Sequence, residues 1–417
     1  MKPQSLIYWM ANIEIYLTFL LIFYFLNPSL PPAITSFLNP MTYGFVSILI
    51  ICRWKRFLYV ITRDVPLLLL FAMVVMSGFW SDMPDATSFT SKAVIRAMLF
   101  AIYLAARYSI KEQMFLLSWA LGTATLISFA VGIAIPSYGR LVGTNSWVGL
   151  FAYKNSLAIY MVLAAMLFLL TAIGNEKKSY IALIGTVLAT ALLFLSQGKG
   201  GYSIFTVALC LFPLRQFVKQ QYKLRVIFFL SAFIIGGTAI TFISNNLELI
   251  VVDFLGKNLE FNGRTPIWVL CIEQALKRPW LGYGVAGFWG SQDSIIILNA
   301  TWAANHFSLN DFEGFNSHNS YLELILQLGF LGFSLYLWSF FTTLIRTVSI
   351  WITTSSEESF WMFQTLIILF LFNFTDNGGI LSRGMLWIIY ISISLSSIVW
   401  HDNIYKYIRF QKTTSKS

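Results

Sequence analysis

The chain predicts an all-α, polytopic membrane protein of about twelve transmembrane helices with one large helical loop outside the cytoplasm. Three observations carry this. Of 417 residues, 57% are hydrophobic and only 11% charged, against roughly 25% charged in soluble domains. Apolar runs long enough to cross a bilayer recur along the whole sequence. Lys and Arg alternate between crowded and sparse connections, as in a chain that passes back and forth through a membrane.

The runs, in order, begin with 7–26, which follows only Lys2. It is too long for the core of a signal peptide, and Asn27-Pro28-Ser29-Leu30-Pro31 is a poor cleavage site, so it reads as a retained helix. Run 36–52 ends at a basic loop holding Arg53, Lys55, Arg56 and Arg63. Runs 65–80 and 89–106 follow, then Arg107 and Lys111, then 114–135 and 153–174, then Lys177 and Lys178. Runs 180–197 and 201–214 lead to Arg215, Lys219, Lys223 and Arg225; the second is short and extends or tilts less than its neighbours. After 226–244 the pattern stops until 319–345, closed by Arg346, and ends with 360–375 and 385–400. This divides the chain into residues 1–244, a large loop 245–318, and 319–417.

Orientation follows from the basic residues. The loops named above and the termini, with Lys2, Lys406, Arg409, Lys412 and Lys416, take 18 of the 28 Lys and Arg. That side is expected to be the cytoplasm, with both termini on it, and the loop 245–318 then faces the periplasm. The net charge of +10 is mostly this signal and gives no sign of nucleic acid. The ten remaining cations, Lys92, Arg96, Arg140, Lys154, Lys199, Lys257, Arg264, Lys277, Arg278 and Arg383, fall on the outer half. Singly, such residues snorkel to lipid phosphates; gathered on one cavity, they would hold an anion. Cys52, Cys210 and Cys271 form neither a disulfide framework nor a metal-ligand pattern.

Function is sought in the loop. Trp268, Trp280, Trp289 and Trp302 are too many large rings for a disordered linker. Thr265 suits a helix N-cap and Pro266 a first helical position, while Arg278-Pro279 should end the helix. Arg264 then precedes a helix N-terminus, where free N–H groups favour an anion and a guanidinium adds a bidentate fork; an arginine bonded to loop carbonyls is the alternative. The run Gly282-Tyr283-Gly284-Val285-Ala286-Gly287-Phe288 follows no strand and so is no nucleotide loop. It reads as a tight reversal with its rings on the membrane interface. His318 opens the next helix, and an imidazole can accept a proton from a hydroxyl near neutral pH. Asn319, Glu323 and Gln327 are spaced by four, a polar stripe expected to face a cavity or other helices. Lys199, in Gln197-Gly198-Lys199-Gly200-Gly201, lacks the spacing of a Walker loop, but glycine N–H groups beside an ammonium suit a phosphate. Arg140 and Lys154 open onto the same side; Asp82 and Asp85 read as loop-shaping.

Phe151-x-x-Lys154-Asn155, Gly263-Arg264-Thr265, Arg278-Pro279-x-x-Gly282-x-Gly284 and His318-Asn319-x-Tyr321 with Leu328-Gly329-x-x-Gly332 together resemble the O-antigen ligase and exopolysaccharide polymerase superfamily. The resemblance spans roughly residues 140–335. It implies a GT-C-like membrane fold and an inverting glycosyltransferase that uses neither nucleotide sugar nor metal, and no cofactor. The implied donor is a polyprenyl (undecaprenyl) diphosphate oligosaccharide, the implied acceptor a hydroxyl of a growing glycan or of lipid A–core. By resemblance His318 activates that hydroxyl, Arg264 binds the diphosphate, and Lys199 matches a second arginine of the family, with Arg140 and Lys154 as further diphosphate ligands. Asn319, Tyr321 and Glu323 are expected to support the site. A lipid-linked sugar flippase is the alternative, but it needs an ionisable pathway through the membrane, and Glu14 is the only acid expected near the middle of a span.

Overall fold

A computed structural model describes residues 3–174, 179–217, 263–301 and 315–414. Among them every regular element is helical, and the expected run 226–244 lies outside them, as do Trp302, His306 and Lys257. The other eleven expected runs all fall within helices. They form α1 (Pro3–Phe25), α2 (Pro32–Cys52), α3 (Trp54–Ile61), α4 (Val65–Met76), α5 (Pro84–Arg107) and α6 (Ile110–Ala134). After a one-turn α7 (Pro136–Gly139) come α8 (Lys154–Gly174), α9 (Tyr180–Ser196), α10 (Lys199–Leu211) and a one-turn α11 (Leu214–Phe217). The large loop contributes α12 (Arg264–Lys277) and α13 (Gln292–Ala300), and α14 (Ser320–Thr354), α15 (Glu357–Thr375) and α16 (Met385–Thr414) follow.

The protein is a multi-pass membrane protein by length and composition of its helices. Among the described residues seven are long and apolar enough to cross a bilayer, or eight if the bent pair Trp54–Ile61 and Val65–Phe79 is one span. That count covers the described residues alone, and some elements among them are short. The thirteen residues of α10 reach about 20 Å at 1.5 Å each, below the roughly 30 Å of hydrocarbon. The bundle core runs through α5, α8 and α16, the spans most enclosed by their neighbours. Connections of the bundle gather at its two ends. One end carries the junctions 77–84, 135–153, 197–199 and 376–384 with the large loop; the other carries 53–64, 108–109 and 212–215.

Glu14 belongs to the second end and not to the middle of a span. Its carboxylate pairs with Arg53 at 2.8 Å and Arg107 at 3.1 Å, and accepts from the Tyr103 hydroxyl at 3.0 Å. Arg53 directly follows α2 and Arg107 is the last residue of α5, so these pairs put Glu14 at the end of the bundle where those helices stop.

The feature that most shapes the other end is a break in α14. Gly329 takes φ 64° and ψ −170°, and the helix turns there. A break inside an apolar helix frees backbone groups that must be satisfied. The segment Pro279–Gly284 does so. Tyr283 and Gly284 N–H donate to the carbonyls of Leu326 (2.8 Å) and Gln327 (2.9 Å); Phe330 and Leu331 N–H donate to those of Pro279 (2.7 Å) and Trp280 (3.3 Å). A β-carbon on Gly282 would lie 2.5 Å from the Leu326 carbonyl oxygen, and one on Gly329 would meet the Trp280 backbone. These glycines are there for close backbone approach. The reversal therefore docks into a helix break. Its rings Tyr283 and Phe288 are buried in a second core with Ile267, Cys271, Ile297, Leu298, Phe315 and Leu326, not laid on the interface as the sequence suggested. The reason is the break itself, which turns the first part of α14 into the floor of that core.

Candidate active site

Four helices begin and one ends around a single acid. Asp376 follows the last residue of α15. Its carboxylate accepts from the Asn155 amide at 3.0 Å, in the first turn of α8, and from the Asn377 N–H at 2.9 Å. Its backbone carbonyl takes the Ser320 hydroxyl at 2.9 Å, in the first turn of α14. The carbonyl of Thr375, one residue earlier, takes Nη1 of Arg264 at 2.5 Å, the first residue of α12. The start of α10 lies here as well, since a β-carbon on Gly200 would sit 3.6 Å from the Thr375 side chain and one on Gly198 3.6 Å from the Lys154 carbonyl.

His318 approaches the same carboxylate, with Nδ1 3.6 Å from Asp376 Oδ1. That is long for a hydrogen bond but close enough for the carboxylate to act on the ring. Burial pushes the Asp376 carboxyl up, yet His318, the Asn377 N–H and the Asn155 amide outweigh it and hold the group below the usual carboxylate range. Burial lowers the Arg264 pKa while the Asp376 charge acts against it; a guanidinium stays charged regardless.

The backbone at His318 is a left-handed turn, φ 52°, a conformation that a non-glycine residue keeps only when its surroundings impose it. They do. The His318 N–H donates to Asn316 Oδ1 at 2.9 Å, and the Ser317 hydroxyl donates to the Asn319 carbonyl at 2.9 Å. Ser317 N–H reaches Glu323 Oε1 at 2.6 Å, and Trp268 Nε1, from α12, reaches the Ser317 carbonyl at 2.8 Å. Asn319 caps α14 by accepting from the N–H groups of Tyr321 and Leu322. Buried Glu323 also accepts from Trp289 Nε1 at 2.9 and 3.1 Å. The stripe of Asn319, Glu323 and Gln327 thus grips its own loop instead of lining an open cavity. Tyr321 packs among Phe333, Tyr336, Phe370 and Phe374, its hydroxyl on the Phe370 carbonyl, and so joins α14 to α15.

Placement of the expected residues is uneven. His318, Arg264, Lys154 and Lys199 come to one junction. Among the described residues, neither Lys154 nor Lys199 forms an ion pair with a carboxylate, and Lys199 is exposed. Arg140 is engaged elsewhere: Nε donates to the Gly132 carbonyl at 2.9 Å and the guanidinium lies 4.9 Å from the Trp147 ring centroid. Arg96, among the outer cations, is buried and clasps Asn39 and Thr42 of α2. The helix starts at Arg264, two residues before the expected Pro266, and Gly263, in the left-handed region, takes the cap position expected for Thr265. Asp82 pairs with Arg278 at 2.8 Å and ties the loop to α5. Among the described residues no group of three or more His, Cys, Asp or Glu has metal-holding geometry.

Asp376 is the residue that sequence reasoning missed, with Asn155 quoted but unassigned. One signal was available: it is the sole acid between residues 359 and 401, set in Thr375-Asp376-Asn377-Gly378-Gly379 between two apolar runs. Chemically, the junction offers a proton acceptor backed by a carboxylate, next to several cations and four helix N-termini, which favour an anion.

Residues 184–337 match the O-antigen ligase family. The chain is also similar to the exopolysaccharide production protein ExoQ of Rhizobium meliloti (strain 1021), 27% identical over 266 residues. That match covers 61% of this chain and spans 58% of the relative's own length. Both likenesses support a relation of this chain to the O-antigen ligase and exopolysaccharide polymerase family, carried by residues 184–337 for the family match.

Proposed function

We propose that the protein is an inverting, metal-independent glycosyltransferase, acting as ligase or polymerase in the making of a surface polysaccharide. It takes a glycan from polyprenyl (undecaprenyl) diphosphate and gives it to an acceptor hydroxyl. The observation that carries the reading is the junction itself: His318 against Asp376, with Arg264, Lys199 and Lys154 at three helix starts around them.

In this reading Asp376 holds His318 through Nδ1, leaving Nε2 to accept the proton of the acceptor hydroxyl. The acceptor oxygen attacks the anomeric carbon from the face opposite the diphosphate. The bond from that carbon to the phosphate oxygen breaks, its electron pair leaves with the diphosphate, and the configuration inverts. Charge grows on the leaving group as the bond breaks, and fixed cations near it stabilise that state more than the ground state. Asp376 offsets the positive charge that develops on the imidazole.

The distribution of Lys and Arg supports a bacterial inner-membrane protein with both termini in the cytoplasm and the junction facing the periplasm. The flippase alternative loses its ionisable pathway, because Glu14 is held by Arg53 and Arg107. Transfer from a synthetic polyprenyl-diphosphate oligosaccharide by purified protein tests the reaction. Product of inverted configuration without added nucleotide sugar is expected; transport of the lipid-linked sugar without transfer would overturn it. The acceptor is read in a deletion strain. Single repeats at the surface mean a lost polymerase, long chains left on the carrier a lost ligase.

A further inference from the structure

Helix α12 has two apolar faces, and only one is covered. Ile267, Cys271, Gln274 and Ala275 are buried in the second core. Val269, Ile272 and Leu276 lie three and four residues apart, so they share a different face, and all three are about half exposed or more, Leu276 at 59%. Trp280, just past the helix, is 73% exposed. Glu273 and Lys277 mark the polar edge beside this stripe.

Both ends of α12 are fixed where spanning helices stop. At its start, Arg264 donates to the carbonyl of Thr375, the last residue of α15. Past its end, the Leu281 carbonyl accepts from Trp80 Nε1 at 3.0 Å, directly after the 3₁₀ turn Ser77–Phe79 that closes the α4 span. Fourteen residues reach about 21 Å as a helix. A helix of that length tied at both ends to the termini of spans lies along the surface of the bilayer, not away from it. Its stripe also joins the surface that faces lipid: the Trp280 carbonyl bonds the Leu331 N–H, and Phe330, Leu331 and Phe79 are exposed there, the last at 88%.

We propose that α12 is an interfacial helix whose stripe of Val269, Ile272 and Leu276, ending in Trp280, is seated in the head-group and upper acyl region of the bilayer. Tryptophan favours that depth, and an exposed apolar helix face beside a polar edge gains free energy by entering it. The seat holds Arg264, at the helix start, level with lipid phosphates. The inference does not depend on the reaction proposed above.

Nitroxide scanning in vesicles tests it. Exposed Cys52 and Cys210 are replaced by serine and buried Cys271 is kept. Single variants Ile272→Cys, Leu276→Cys and Glu273→Cys are spin-labelled and reconstituted in phosphatidylethanolamine–phosphatidylglycerol vesicles. The ratio of collisions with oxygen to collisions with a water-soluble nickel chelate is expected to be several-fold higher at 272 and 276 than at 273. Preference for the nickel chelate at both positions would overturn the proposal, and so would immobile labels that neither reagent reaches, because protein would then cover the face. Val269→Cys gives a further position on the stripe if one label disturbs the fold.

Discussion

The two ends of the helix bundle treat charge differently. At the end away from the large loop, five arginines are paired with carboxylates. Glu14 serves Arg53 and Arg107, Asp64 serves Arg346, Glu357 serves Arg215, and Asp402 serves Arg63. At the other end Arg278 pairs with Asp82 and Lys277 with Asp293, but around Asp376 the balance changes: Arg264 is spent on a carbonyl, and Lys154 and Lys199 form no ion pair among the described residues. Paired charges fix helices and leave little field. Cations in excess of acids leave a positive field that an anionic ligand can complete. The named arginines at the first end join helices, whereas around Asp376 the cations outnumber the one acid they share.

That contrast can be broken by substitution. The largest effect is expected for His318→Ala, with transfer falling about 10²–10⁴-fold, the range for loss of a general base. Donor binding should persist, measured with radiolabelled lipid-linked oligosaccharide; normal turnover would remove His318 from the chemistry. Asp376→Asn is expected to come next, with a smaller fall in transfer, since losing the partner that orients a base costs less than losing the base. The acid also carries a pH signature. Its folded pKa lies below the ordinary 3.8, so its stabilising effect is complete above pH 3.8 and is lost as pH falls through the depressed value. The stability gap between wild type and Asp376→Asn should therefore narrow in strongly acidic buffer, as read by thermal unfolding in detergent. A gap that is constant through that range would contradict the pairing.

Smaller effects should follow for the cations. Arg264→Lys keeps the charge but loses the fork, and is expected to raise the apparent donor KM about tenfold; an unchanged KM would point to a purely structural arginine. The double variant Lys154→Gln with Lys199→Gln should weaken donor engagement, steeply so at low salt, and leave thermal stability nearly unchanged. The opposite end gives the converse result. Glu14→Gln is expected to cost about 1–3 kcal/mol of stability, the penalty for stranding the partners of a half-buried group, while transfer per folded molecule stays at the wild-type level. A transfer defect there would mean that the two ends are coupled.

Much of this architecture was legible in the sequence, for definite reasons. Spanning helices write long apolar runs, and the helix of the large loop announced itself through Thr265-Pro266 at one end and Arg278-Pro279 at the other. His318 and Arg264 could be singled out as candidates because motifs near chain re-entry and helix starts are local. Asp376 was not, because its meaning is entirely tertiary. Nothing near it in the chain states that Asn155, 221 residues earlier, will donate to it, or that His318 will face it. Glu323 read only as part of a stripe facing a cavity or other helices, because helical spacing shows which residues share a face but not what covers that face. The docking of Gly282 against a broken α14 was likewise invisible: glycine marks freedom, and only the fold shows that the freedom is used for contact between backbones.

The joint at Gly329 has a practical consequence for exchanging parts between relatives. Four backbone hydrogen bonds run between Pro279–Gly284 and the membrane helix, and Leu326 of that helix completes the loop's core. A chimaera cut where the loop meets the helix would separate bonds that belong together. Swaps of acceptor specificity should carry α14 through at least Leu331 along with the loop, so that donor and recipient pieces arrive with their shared joint intact.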